Sequence, residues 1–266
     1  MTNRPQVPAV RDERSARQDT CRCFDQDRAT NRRRVAFHAE QQDTSAPGWL
    51  RLLDLVEEAA ADGREEFHPL QGLPAEERRQ IVTLPPTIAR LTAVRRLGLY
   101  GSNLVRVPPE IGAMSALEDL DVYTSYRLHW LPYELTRCPR LRRSLVSTRA
   151  LYGNEKTRPP FPPLDRQPRE GGTGAVCSVC GGPAARPRRV WITLRVATDV
   201  LPLLVDACSK ACVAALPTPP EGYVRSPHSG GPTVQQPVAD HWFPPERRAV
   251  RHETRNRHRT EQGGTP

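Results

Sequence analysis

The first apolar pattern in the chain predicts an amphipathic helix that begins near residue 47. Apolar side chains recur there at helical spacing until Gly63, a residue type that commonly ends helices. Ser45 can cap this helix, and Pro47 suits its first turn. A second, shorter helix is predicted over 74–82. The apolar stripe of the first helix consists of Trp49, Leu52, Leu53, Val56 and Ala60.

A repeat follows these two helices. Segments that begin at Leu84, Val107 and Leu131 are spaced by 23 and 24 residues, and their apolar side chains keep the same phase. A period in this range is typical of a solenoid, in which each unit covers the apolar face of the next. The third segment is degraded, because Ser144 takes the place of a core leucine. The aligned core positions are Val94, Leu97, Leu99 and Leu104, then Leu117, Leu120, Val122 and Leu128.

The repeat resembles the leucine-rich repeat family, whose pattern is L-x-x-L-x-L-x-x-N-x-L followed by L-P-x-x-I. The match covers residues 84 to about 150, and Ser102 and Ser125 stand where the family usually has asparagine. The chain is similar to bacterial leucine-rich repeat proteins of uncharacterised type, so the resemblance implies a fold but little function. The expected fold class is an α/β repeat: a short solenoid with an N-terminal capping helix, plus a small α+β zinc-binding module.

These patterns divide the chain into six predicted parts. Residues 1–46 and 226–266 lack periodic apolar content and are expected to be disordered, which includes the weak C-x-C pair Cys21 and Cys23. Residues 47–83 form the helical cap, and 84–164 form the repeats with a C-terminal cap plugged by Phe161 and Leu164. A linker over 165–175 leads to the zinc module over 176–225.

Four cysteines carry the strongest chemical signal. They form two short-spaced pairs, Cys177-x2-Cys180 and Cys208-x3-Cys212, and two glycines follow the first pair, as a tight knuckle requires. Tetrahedral zinc takes four such ligands, so the pattern predicts a structural zinc ion. Alternating apolar residues from Val190 to Val196 predict a strand between the pairs, and a helix is expected over 209–216. This order resembles a treble-clef zinc module; ordinary reduced cysteines are the alternative.

Composition restricts the possible functions but does not identify one. The chain of 266 residues has a net charge of +9, but 37 of its 39 basic residues are arginine, a bias typical of a GC-rich genome. No apolar run is long enough for a membrane span or a signal peptide, so we expect a soluble, cytoplasmic protein. Residues 137–158 form a basic patch. No catalytic motif is present, and the repeat phase separates the one triad-like set, Ser125, His129 and Glu134.

The sequence therefore favours a non-catalytic protein-protein interaction module with an unknown protein partner. Outward strand positions would form the binding face. Trp130 and Tyr133 fall outside the repeat core, and Trp130 either packs against the zinc module, which we favour, or anchors a partner. The alternative function is nucleic-acid binding through the zinc module and the basic patch, for which steep salt dependence is expected. The predicted partner-binding residues are Arg96, Tyr100, Asp119, Asp121, Tyr123, Trp130, Tyr133 and Arg143.

Overall fold

A computed structural model describes residues 37–164 and 176–237 of the chain. The predicted amphipathic helix is present as α1 (Pro47–Asp62), which ends at Gly63 in the left-handed conformation with φ +64°. Its buried face includes Trp49, Leu52 and Val56. The second helix, α2 (Ala75–Gln80), is shorter than its predicted range of 74–82.

A four-stranded parallel sheet occupies the middle of the chain. It consists of β1 (Glu66–Phe67), β2 (Arg96–Gly98), β3 (Asp119–Val122) and β5 (Arg143–Val146), paired in that order. Leu97, Leu120 and Ser144 are register partners, so the 23- and 24-residue spacing of the sequence is the spacing of paired strand positions. Short 3-10 helices connect the strands at Pro86–Arg90, Pro109–Ala113 and Tyr133–Arg137, and a fourth spans Thr148–Ala150.

A second, mixed sheet contains the long hairpin between the cysteine pairs. Its strands are β4 (Leu131–Pro132), β6 (Arg188–Val196) and β7 (Asp199–Ala207), in the order β4-β7-β6. The hairpin is antiparallel, and β4 pairs with β7 in parallel through Leu131 and Leu203. The last helix, α3, is a single turn over Lys210–Ala214.

The predicted fold class is wrong. The described residues form two small sheets with few helices, where the prediction was a leucine-rich-repeat solenoid joined to a separate zinc module. The physical reason lies in the third segment: its opening pair, Leu131–Pro132, is a strand of the mixed sheet. Ser144 then binds the tip of the hairpin, with its Oγ donating to an Asp199 carboxylate oxygen at 2.7 Å. One apolar core runs from Leu52 in α1 to Ile192 in the hairpin.

The predicted tail boundaries at residues 46 and 226 also need correction. Phe37 stacks on Trp130 at 5.9 Å, and the Gln42 side chain bonds the backbone of Gln80 and Val82. After residue 226, His228 exchanges two backbone hydrogen bonds with Trp191. The stretch 37–46 is therefore held against Trp130, Trp191 and residues 80–82, and the stretch 226–237 against β6 and residues 159–164. Residues 1–36, including Cys21 and Cys23, the predicted linker 165–175, and residues 238–266 lie outside the described part of the chain.

Within the described ranges, no helix combines the length and the apolar content that crossing a bilayer requires.

Candidate metal centre and the outward face of the parallel sheet

The fold brings together the four cysteines that the sequence singles out. The sulfur atoms of Cys177, Cys180, Cys208 and Cys212 all lie within 4.8 Å of one another. Two of the separations are 3.7 Å, from Cys180 to Cys208, and 3.5 Å, from Cys208 to Cys212. These distances are far longer than a disulfide bond of about 2.0 Å. Tetrahedral zinc, with Zn–S bonds of about 2.3 Å, places its sulfurs about 3.8 Å apart. The cluster could hold a metal ion.

The first pair sits on a turn that is closed by backbone hydrogen bonds. The Gly181 N–H donates to the Cys177 carbonyl at 3.0 Å, and the Cys177 N–H donates to the Gly182 carbonyl at 2.8 Å. Gly181 has φ +74°, a conformation that side chains with a Cβ rarely adopt. This turn exposes Cys180 while it buries Cys177.

The second pair spans the junction between β7 and α3. Cys208 directly follows the strand, and Ser209 is the N-cap of the helix, where its hydroxyl accepts the Cys212 N–H at 3.2 Å. One helical turn then places Cys212 beside Cys208. The C-x3-C spacing is therefore a cap residue plus the first turn of a helix.

The two pairs differ in electrostatics. Burial raises the pKa of the Cys177 thiol, but N–H groups of Cys180, Cys208 and Val179 donate to its sulfur and bring the pKa down to about 6. The Cys212 thiol is the main cause that raises the pKa of Cys208, to about 12. Backbone N–H groups thus favour the thiolate form of Cys177, whereas the neighbouring thiols favour the protonated form of Cys208.

Sequence reasoning missed the side chains that hold the first cysteine turn in place. Arg137 donates to the carbonyls of Cys177 and Ser178 at 3.1 and 2.7 Å, across 40 and 41 positions of the chain. Ser178 in turn bonds Asp206 twice, through its N–H and through its hydroxyl. Glu134 is buried, which raises its pKa, and it also bonds Ser178. The sequence placed Arg137 in a basic surface patch, and no local signal connects it with the cysteines.

The outward face of the parallel sheet carries two rows of alternating charge. In the first row, Arg96 pairs with Glu66 at 2.7 Å and lies 3.5 Å from Asp119, which pairs with Arg143 at 2.9 Å. The second row alternates in the same way through ion pairs of Glu65 with Arg95, Arg95 with Glu118 and Glu118 with Arg142. The charged members of the predicted binding face are therefore largely paired with one another.

The uncharged members of that face project beyond the two rows. Tyr100 is 61% exposed and Tyr123 is 50% exposed, and their ring centroids lie 6.1 Å apart. Leu145 on the neighbouring strand is 49% exposed. Asp121 is half-buried beside them, and its carboxylate accepts the Tyr123 N–H at 2.9 Å. We call Tyr100, Asp121, Tyr123 and Leu145 the tyrosine corner of the sheet.

Trp130 and Tyr133 do not lie on this face. Trp130 is buried between Phe37, which stacks on it, and Trp191 of β6, which meets it edge-on at 5.9 Å. This placement corresponds to packing on the hairpin rather than to a free anchor. Tyr133 is half-buried against the main core, and burial raises its pKa. Within residues 37–164 and 176–237, both aromatic side chains belong to the interior.

The triad-like set of the sequence is not assembled. The Ser125 hydroxyl bonds Ser102 at 2.7 Å, His129 bonds the Ala150 carbonyl at 2.6 Å, and Glu134 turns to the cysteine knuckle. Burial lowers the pKa of His129 to about 4. Its ring also stacks on His38 at a centroid distance of 5.2 Å. These three side chains have separate structural partners.

Most basic side chains of the 137–158 patch form hydrogen bonds or ion pairs within the protein. Arg137 holds the cysteine turn, Arg142 and Arg143 pair with acids, and Arg158 donates to the Gly222 carbonyl at 3.3 Å. The patch therefore offers fewer free charges than its composition indicates.

No protein-family model matches the chain, and no curated protein matches its sequence significantly.

Proposed function

We propose that the four cysteines bind one structural zinc ion. Four soft sulfur ligands within 4.8 Å of one another suit zinc better than the oxygen-preferring ions Mg²⁺ and Ca²⁺. Four thiolates leave no coordination position for water or substrate, so the ion stabilises the fold and does not activate water. The ion would tie the cysteine turn, which Arg137 fastens to the parallel-sheet half, to the end of β7.

On this metal-held scaffold, the protein acts as a non-catalytic binding protein for another protein. A single observation carries this proposal. Of the five exposed large apolar side chains in the described residues, three are members of the tyrosine corner. Monomeric proteins rarely group large exposed apolar side chains without a partner, and tyrosine is enriched at the energetic centres of interfaces.

Nucleic-acid binding receives less support. Its predicted surface was the basic patch, but four of its arginines, Arg137, Arg142, Arg143 and Arg158, have partners within the protein. Asp121 and the paired acids of the sheet would also repel phosphate groups.

Site-specific photo-crosslinking in the native cell tests the protein-binding proposal. A benzophenone amino acid replaces Tyr123 in one version and Leu50 in the control; both positions are 50% exposed, but Leu50 lies on α1. We expect a discrete crosslinked protein band from position 123 that is missing from position 50. The same bands from both positions, or none from position 123, would overturn the proposal.

A further inference from the structure

Asp121 differs from the other acids on the outward face of the sheet. It is the register partner of Gly98 on β2 and of Leu145 on β5, two positions beyond the row that contains Asp119. Within the described ranges it makes no ion pair with an arginine, lysine or histidine, and one carboxylate oxygen accepts the Tyr123 N–H. The acids of the two rows are all paired with arginines: Glu65, Glu66, Glu118 and Asp119. Asp121 is thus the uncompensated charge of this face.

Aromatic and aliphatic surface borders this carboxylate. Tyr123 follows Asp121 by two positions and Tyr100 follows Gly98 by two, so both rings project on the same side of the sheet. Gly98 leaves space that the His68 ring fills, since a Cβ on Gly98 would lie 2.0 Å from His68 Nδ1. The positions that neighbour the Asp121 carboxylate therefore carry the His68 and tyrosine rings or the aliphatic side chain of Leu145.

We infer that the tyrosine corner binds an arginine or lysine side chain of the partner protein. A cation gains from the Asp121 charge and from the electron-rich faces of two tyrosine rings at once. The aliphatic stem of that side chain packs on Leu145, as long basic side chains do on apolar surface. This inference rests on the proposed protein-binding function and adds the chemistry of the group that is recognised.

An acidic partner side chain fits the corner less well. It would meet the negative charge of Asp121, and the arginines of the adjacent row, Arg96 and Arg143, are already held by Glu66 and Asp119. To use those arginines, a partner would have to break existing ion pairs. Charge complementarity therefore favours a basic side chain.

Selection of peptides on the full-length protein tests the inference. A library of displayed 12-residue peptides is selected, and the winning sequences are synthesised and titrated. We expect an arginine or lysine beside an apolar residue in the selected peptides, and at least a tenfold loss of affinity when that arginine is replaced by neutral citrulline. Asp121→Asn and Tyr123→Ala are expected to weaken binding by a similar factor. Glu76→Gln, which changes an exposed acid on α2 in the same isosteric way, leaves the affinity unchanged.

The other outcomes separate this inference from the proposed function. If the selected peptides are acidic and bind the Tyr123→Ala variant more weakly, the inferred basic ligand is wrong, although the binding face is correct. Peptides unaffected by both tyrosine-corner variants, or no enrichment of basic sequences, would overturn the inference itself, while the crosslinking result decides the function separately. If basic peptides are selected only after the six arginines between 247 and 259 are changed to glutamine, the chain's own tail is the occupant. If the protein is a dimer that dissociates with Asp121→Asn, the occupant of the tyrosine corner is a second copy of the chain and not a separate partner.

Discussion

Replacing Trp130 by alanine is expected to destabilise the protein strongly, because this side chain joins the hairpin to the segment at 37–46. Trp130 is only 8% exposed and contacts Phe37 and Trp191 at centroid distances of 5.9 Å each. A buried aromatic side chain removes about 200 Å² from water, which at about 25 cal/mol per Å² gives an upper limit near 5 kcal/mol. Large-to-small substitutions of this type cost about 3–5 kcal/mol. We expect a loss of about 4 kcal/mol, or roughly 8–16 °C in Tm.

Thermal and urea unfolding of four variants measures this effect. Tyr123→Ala is the matched control, because it removes an aromatic ring that is 50% exposed, and its cost is expected to stay below about 0.5 kcal/mol. A double-mutant cycle of Trp130→Ala with Phe37→Ala is expected to give a coupling of about 0.5–1.5 kcal/mol for the stacked pair. An unchanged midpoint for Trp130→Ala would refute the packing argument, and additive single effects would refute the docking of the 37–46 segment on Trp130.

Three further predictions concern the metal, the pH dependence and the hairpin tip. Elemental analysis is expected to find one zinc per chain in the wild type and in Cys138→Ser, but none in Cys208→Ser; zinc retained by the latter would contradict the proposed ligand set. Burial lowers the pKa of His129 from 6.5 to about 4, so this group does not affect stability above pH 6.5 and reduces it as the pH falls from 6.5 towards 4. The loss amounts to roughly 2–3 kcal/mol by pH 4.5, and urea titrations should show a flatter pH profile for His129→Asn unless the ring is accessible. Ser144→Ala is expected to cost about 1–3 kcal/mol, because the Asp199 carboxylate loses a buried donor, whereas Leu145→Ser on the exposed face costs little in the same unfolding assay.

The sequence alone was sufficient for local elements and for the cysteine cluster that could hold a metal ion. The helical spacing from Trp49 to Ala60 gave α1, and the alternation from Val190 to Val196 lies within β6. The close cysteine spacings identified four sulfurs that the fold brings together. These signals are strong because helix period, strand period and ligand spacing are each encoded within a few neighbouring residues.

The arrangement of the two sheets could not be derived in the same way. Leu131 and Pro132 have the apolar phase of the preceding segments, and only the distant Leu203 and Leu204 make them a strand of the mixed sheet. Ser144 was interpreted as decay of a pattern, although it is a polar contact with the hairpin tip. Both features depend on residues more than 50 positions away, and periodicity contains no information about such partners.

Polar docking elements were missed for a related reason. The 37–46 segment has few aliphatic residues, so its composition indicated disorder, yet it is held by Phe37 and by hydrogen bonds of Gln42. The alternation of β6 also implied one solvated side, whereas Trp191 and Thr193 are buried on the second side. A single aromatic residue in a polar stretch is a weak but usable sign of such docking.

The alternating charge rows restrict which strands can lie side by side in the parallel sheet. From β1 to β5 the signs run negative, positive, negative, positive, so every strand differs in sign from both neighbours. Removing β2 would place Glu66 beside Asp119, and removing β3 would place Arg96 beside Arg143, which is unfavourable for directly opposed side chains. Strands could be lost from or added to the interior of this sheet in pairs without a conflict of charge, but not singly. The alternating charges of the two rows thus favour this strand order, independently of the apolar residues beneath them.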